Sequence, residues 1–228
     1  MNQFFLSGVP NSVSRMALSG APFTMLLMGD SNSRLIFRAI EQIVHTHGRV
    51  TQRAFVTRDG ERTKWSDLEF RGVWSNRSLR VRFVFIHDQG ELDEVYGARA
   101  PVLLSPMPDL VWFTHGLWHI DSHYKKPCTE RFVVEGRLMD QLRSKTTLVW
   151  QTNVRVRRHP QILDEWLVKD TQCQYAWGKN HSVPVFNIRT FPVAGFHLRN
   201  ANPIAQEILA FPSRRRGIEK WQRSYVGN

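Results

Sequence analysis

The segment from Phe23 to Ile40 constrains this chain more than any other. An apolar run, Phe23-Thr24-Met25-Leu26-Leu27-Met28, ends in Gly29-Asp30-Ser31 and leads at once into Leu35-Ile36-Phe37-Arg38-Ala39-Ile40. The run reads as a buried strand. Apolar residues at 35, 36, 39, 40, 43 and 44 form a helical stripe, so a helix is expected over about Ser33–His47, ending before Gly48. A strand that turns straight into a helix sets Ser31 at the carboxyl edge of a sheet, where open α/β sheets place their ligands. The helix N-terminus behind it offers backbone N–H groups to an oxyanion.

The rest of the chain extends this pattern. Val50–Thr57, Trp65–Phe70 and Leu79–Ile86 are short and β-rich, and Arg80-Val81-Arg82-Phe83 alternates like a strand with one solvated face. Tyr96-Gly97-Ala98-Arg99-Ala100-Pro101 reads as a loop. Pro108–Phe113 is a parallel-type strand running into Thr114-His115-Gly116. Cys128–Ser144 is expected to be one helix, with Phe132, Val133, Leu138, Met139 and Leu142 on a shared face. Thr146–Trp150 is the next strand. Pro160–Trp177 is a helix with Pro160 in its first turn, where a missing N–H costs least. Val183–Ile188 is the last strand and Asn202–Phe211 the last helix. Strands alternating with helices predict a parallel sheet covered by helices. The expected organisation is a loose leader rich in Ser, Gly and Asn at 1–20, an α/β domain at 21–212 and a basic tail at 213–228.

A length of 228 residues suits one such domain. No run approaches the roughly 18 apolar residues of a membrane helix, and Met1–Pro10 lacks the basic and apolar regions of a signal peptide. Cys128 and Cys173 are too few for a disulfide scaffold or a zinc site; two buried thiols is the leading reading and a single bridge the other. The formal charge of +11 is spread widely, with its densest clusters at Arg155-Val156-Arg157-Arg158 and Arg214-Arg215-Arg216. Through these patches an anionic surface or polysaccharide is a candidate partner, while so dispersed a charge does not point to nucleic acid. His115, His119 and His123 recur every four residues, but Gly116 and the preceding strand argue against a helix there, so no metal site is expected, and no cofactor is called for.

Nucleophilic acyl transfer needs a hydroxyl, a base and an oxyanion hole. Ser31 fits the first role; the bland alternative is a helix cap. His197, in Ala194-Gly195-Phe196-His197-Leu198, follows the last strand and so returns to the same sheet edge. It is the candidate base.

Taken together, these residues resemble the SGNH/GDSL hydrolase superfamily, and within it the PC-esterase branch, which includes plant polysaccharide O-acetyltransferases. Gly29-Asp30-Ser31 matches the opening motif and Arg34 the arginine that the branch often adds. Thr114-His115-Gly116-Leu117-Trp118-His119 is similar to the mid-chain loop Asn-Ser-Gly-Leu-Trp-Asp. Leu148-Val149-Trp150-Gln151-Thr152 matches a later strand, and Gly195-Phe196-His197 the closing Asp-Gly-x-His. The motifs run in family order over about residues 21–211. The resemblance implies a flavodoxin-like three-layer α/β/α sandwich with a central parallel sheet. It implies a serine esterase or O-acyltransferase acting on an acyl ester, acetyl above all, of a small molecule or glycan, with Ser31 as nucleophile and His197 as base. The oxyanion or pocket set would be drawn from Gly29, Asp30, Arg34, Gly72, Thr114, His115, Gly116 and Trp118, with Gly97 an alternative to Gly72 and His119 an alternative donor.

Two departures stand out. The family's Asp three residues before the His is Ala194, for which Asp30 and Asp121 are candidate substitutes. The oxyanion Asn falls on Thr114 or Trp118. A catalytically inactive relative that binds a glycan or acylated ligand is therefore the second reading.

Overall fold

The computed structural model describes residues 22–56, 67–86, 89–97, 99–117, 120, 125–156 and 164–210. The leader at 1–20, the tail at 213–228, Trp118, His119, Asp121, His123, Arg157, Arg158 and Pro160 lie outside the described residues.

β1 (Phe23–Gly29) is the axis of the molecule, and its apolar side chains divide between two layers. Phe23, Met25 and Leu27 join a core under α1 (Ser31–His47) and α7 (Asn202–Ala210), whose Ile36, Phe37, Ile40, Ile204 and Ile208 are buried there. Leu26 and Met28 face the other core, with Leu138, Met139 and Leu142 of α5 (Val133–Leu142) and Cys173 of α6 (Asp164–Asn180). A strand buried on both faces reads as a continuous apolar run because it has no solvated side.

The sheet has seven strands in the order β2-β3-β4-β1-β5-β6-β7, with β2 at Arg49–Val56, β3 at Asp67–Trp74, β4 at Arg77–Phe85, β5 at Leu110–Phe113, β6 at Thr147–Gln151 and β7 at Val185–Phe186. Strands β4, β1, β5, β6 and β7 are parallel, which gives the expected α/β/α sandwich. The sheet as a whole is mixed rather than parallel, because β2 and β3 run antiparallel to their neighbours. The cause is local. Ser75 (φ 48°) and Asn76 (φ 62°) form a two-residue turn with both central residues left-handed, which folds β3 back on β4.

Four other expectations are corrected. The helix over Cys128–Ser144 is two, α4 (Cys128–Arg131) and α5, broken where Phe132 leaves helical geometry at φ −124°, ψ 40°. The Phe132 ring is buried edge-on against Trp150 at 4.8 Å. The loop at 96–101 is bounded by α2 (Gln89–Tyr96), mostly polar, and α3 (Ala100–Leu103), a single apolar turn; neither is long or patterned enough to give a periodic stripe. The helix begun at Pro160 is described from Asp164 and runs on to Asn180. Cys128 and Cys173 are bonded to each other, tying α4 to α6. No helix among the described residues is long and apolar enough to cross a membrane.

The bridge closes a loop of 45 residues, which in the chain-entropy picture is worth about 4 kcal/mol. Cys128→Ser with Cys173→Ser should lower the free energy of urea unfolding by about that much and steepen the transition, because the unfolded chain released from the bridge exposes more surface.

Candidate active site

Backbone geometry and one carboxylate set the position of Ser31. β1 ends at Gly29, where a Cβ would collide with Ser33 Oγ and Thr114 Cγ2. Asp30 caps α1: its Oδ1 accepts from Asn32 N–H at 2.9 Å, while its Oδ2 accepts from Leu117 N–H at 3.1 Å. The carboxylate therefore ties the first turn of α1 to the loop leaving β5. That loop turns at Gly116, whose φ of +79° suits glycine and whose missing Cβ would sit 3.2 Å from Asp30 Cβ. Thr114 anchors it, donating its N–H to Met28 O at 3.0 Å and accepting from Gly116 N–H at 3.2 Å. From β1 the chain runs to β2, β3 and β4 on one side and only then crosses to β5 on the other, so Ser31 opens at the topological switch point of the parallel strands.

His197 arrives on a small hairpin that the sequence reading did not anticipate. β8 (Val193–Ala194) and β9 (His197–Leu198) are joined by Gly195-Phe196, with Gly195 at φ +65°. A positive-φ glycine first in a two-residue loop fits the right-handed twist of paired strands. His197 Nε2 lies 2.9 Å from Ser31 Oγ. Asn32 holds the two loops together: its Nδ2 donates to Phe196 O at 3.0 Å and its Oδ1 accepts from Leu198 N–H at 3.0 Å. The sequence reading missed Asn32. Its only signal was an amide next to the serine, in the first turn of a helix.

Ala194 is the direct cross-strand partner of His197 and is exposed. No described residue hydrogen-bonds His197 Nδ1. Asp30, one candidate substitute for the missing acid, has a backbone N–H on each of its carboxylate oxygens instead. Arg34 sits one turn into α1 with its guanidinium 5.5 Å from the centre of the Phe85 ring. Its pKa is lowered by burial first and by Arg38 second.

Gly72 is not brought to this site. It pairs with Leu79, which pairs with Phe23 at the opposite end of β1 from Ser31, and its missing side chain accommodates Arg49 O. Gly97 already gives its N–H to Asp93 O at 2.9 Å, closing α2.

His115 is fully buried rather than open to a pocket. Its Nε2 is 3.1 Å from Asp170 Oδ2 and 3.2 Å from Asn153 Nδ2, and its Nδ1 is 3.2 Å from Gln174 Nε2. The network anchors the β5 loop to α6. Burial is the largest single influence and lowers the His115 pKa, but the Asp170, Glu135 and Asp30 carboxylates together outweigh it and the net shift is upward. Burial also pushes the Glu135 carboxyl up to about 7, although His115 pulls it back. A carboxyl that is protonated more readily folded than unfolded takes up protons on folding. Its contribution is full below the unfolded value near 4.5 and fades until the folded value near 7. The raised His115 acts in the same sense, its contribution being complete below 6.5 and lost as pH climbs past its folded value. Stability should therefore fall by about 3 kcal/mol between pH 4.5 and 7 from Glu135 alone. Glu135→Gln should flatten that slope in denaturant titrations across this range.

No family model matches this sequence, and no curated protein matches it. Solved structures do match in fold. An acetyl xylan esterase, AlAXEase, aligns with a TM-score of 0.55 at 11% identity, over 82% of this chain and 98% of that one. A lipase/acylhydrolase from Enterococcus faecalis aligns with a TM-score of 0.51 at 12% identity, over 86% and 96%. The fold is that of these hydrolases.

Proposed function

We propose that this chain is a serine esterase or O-acyltransferase of the SGNH type. The observation that carries the proposal is the 2.9 Å contact between Ser31 Oγ and His197 Nε2, made by loops 166 residues apart. With Nε2 as acceptor, the imidazole takes the hydroxyl proton as Oγ attacks an ester carbonyl. The backbone N–H of Ser31, at the positive end of α1, would stabilise the resulting oxyanion. His197 then returns the proton to the departing alcohol oxygen, leaving an acyl group on Ser31. Water, or a hydroxyl of an acceptor, attacks that acyl-enzyme and regenerates the serine. Hydrolysis and transfer share every step but the last.

The acetyl xylan esterase of the same fold makes a polysaccharide acetyl ester the first substrate to try. The formal charge of +11 makes an anionic polysaccharide the natural variant. A fluorophosphonate probe should label Ser31 in the folded protein, by peptide mass. Ser31→Ala should abolish labelling. His197→Gln should slow it by about 10³-fold, within the range for losing a general base together with its alignment. A folded protein whose Ser31 remains unlabelled overturns the proposal.

One observation favours a second reading. Ala194 stands where an acid would meet His197 Nδ1. A dyad lacking that partner suits a protein that keeps the pocket to bind a glycan or an acylated ligand without turning it over.

A further inference from the structure

The opposite end of β1 carries a separate feature. Between the β3–β4 hairpin, α1 and α7 lies an open cavity of about 420 Å³, a size typical of small-molecule sites. Its floor is apolar, formed by Met25, Ile43, Trp74, Leu79 and Leu209. Its rim carries Arg77 and His47, both exposed, and neither has an ion-pair partner among the described residues. No carboxylate lines it among the described residues. β1 spans seven residues between this cavity and Ser31, a separation of about 20 Å at ~3.3 Å per residue.

We infer that this cavity binds a single-chain anionic amphiphile, a fatty acid whose chain lies on the Met25–Leu209 floor and whose carboxylate meets Arg77. The argument is one of complementarity. An apolar floor of this extent gains from covering by a chain with no polar groups of its own. A guanidinium on the rim offers a planar pair of donors to a carboxylate. The cationic rim of a strongly basic protein selects an anionic head over a neutral or cationic one. The site is independent of the acyl chemistry, since neither Ser31 nor His197 lines it.

Isothermal titration of the whole chain with hexanoate, octanoate and decanoate tests the inference. Affinity should rise by about fourfold per added methylene, and decanol should bind at least tenfold more weakly than decanoate. Leu209→Trp, which fills the floor, should abolish binding. Arg77→Glu, at the exposed first position of β4 and outside the floor, should weaken decanoate by more than tenfold while sparing decanol. Ser31→Ala should bind as the wild type does. Three results overturn the inference: no binding by the wild-type chain, binding that survives both Leu209→Trp and Arg77→Glu, or binding that appears only after removal of residues 211–228, which would give the cavity to the chain's own tail.

Discussion

Ala194→Asp should raise the turnover of an acetyl ester by about 10²–10⁴-fold. The range follows from the serine proteases, where neutralising the equivalent acid lowers kcat by about 10⁴-fold. The geometry is specific to this hairpin. Ala194 and His197 are directly opposed across β8 and β9, and side chains so paired have Cβ atoms about 5 Å apart on one face. An Asp at 194 is therefore within reach of the His197 ring, whose Nε2 already faces Ser31. Its carboxylate would fix the tautomer that leaves Nε2 free to accept, and would stabilise the imidazolium formed during attack. Steady-state hydrolysis of an activated acetyl ester, compared between the two proteins at several pH values, reads the effect. Unchanged turnover in a folded Ala194→Asp protein would favour the ligand-binding reading, because the pair would then be idle for a reason other than the missing acid.

The second large effect is expected at Asn32. Asn32→Ala removes the donor to Phe196 O and the acceptor for Leu198 N–H in one step. Leaving two such groups without partners costs about 2–4 kcal/mol. The hairpin carrying His197 would no longer be tied to the first turn of α1. A displacement of the order of 1 Å between reacting groups can cost about 10²-fold in rate, so fluorophosphonate labelling of Ser31 should slow by about that factor. Asn32→Asp sharpens the test. It keeps an acceptor for Leu198 N–H but sets a carboxylate oxygen against Phe196 O, so it should label no faster than Asn32→Ala. Labelling near the wild-type rate in both variants, with the fold intact by circular dichroism, would show that His197 is held by something other than this amide.

Much of the architecture was written in local pattern. The run from Phe23 to Met28 and the stripe through Val44 specify a buried strand feeding a helix, and both occur within two residues of where they were expected. Strand β4 declared itself through the alternation Arg80-Val81-Arg82-Phe83. These features follow from periodicity, which neighbouring residues carry between them. The break at Phe132 was not visible. It depends on a ring finding space beside Trp150, a residue on another strand. The antiparallel pairing of β2 and β3 was equally hidden, since a strand's direction relative to its neighbour is a property of connections and not of side-chain order.

The site divides in the same way. Ser31 and His197 could be proposed from sequence because each lies where a strand or its following loop meets the carboxyl edge of the sheet. His115 was read as a pocket residue because the loop around it resembled one; burial and its contact with Asp170 make it an anchor instead. The sequence by itself determined that a hydroxyl would stand at a helix N-terminus on an apolar strand, because a few adjacent residues fix that geometry. Only the tertiary structure decided that an imidazole 166 residues away would reach it, that Asn32 would hold it there and that Ala194 would stand beside it. Such meetings are set by how distant segments pack, and no local pattern encodes them.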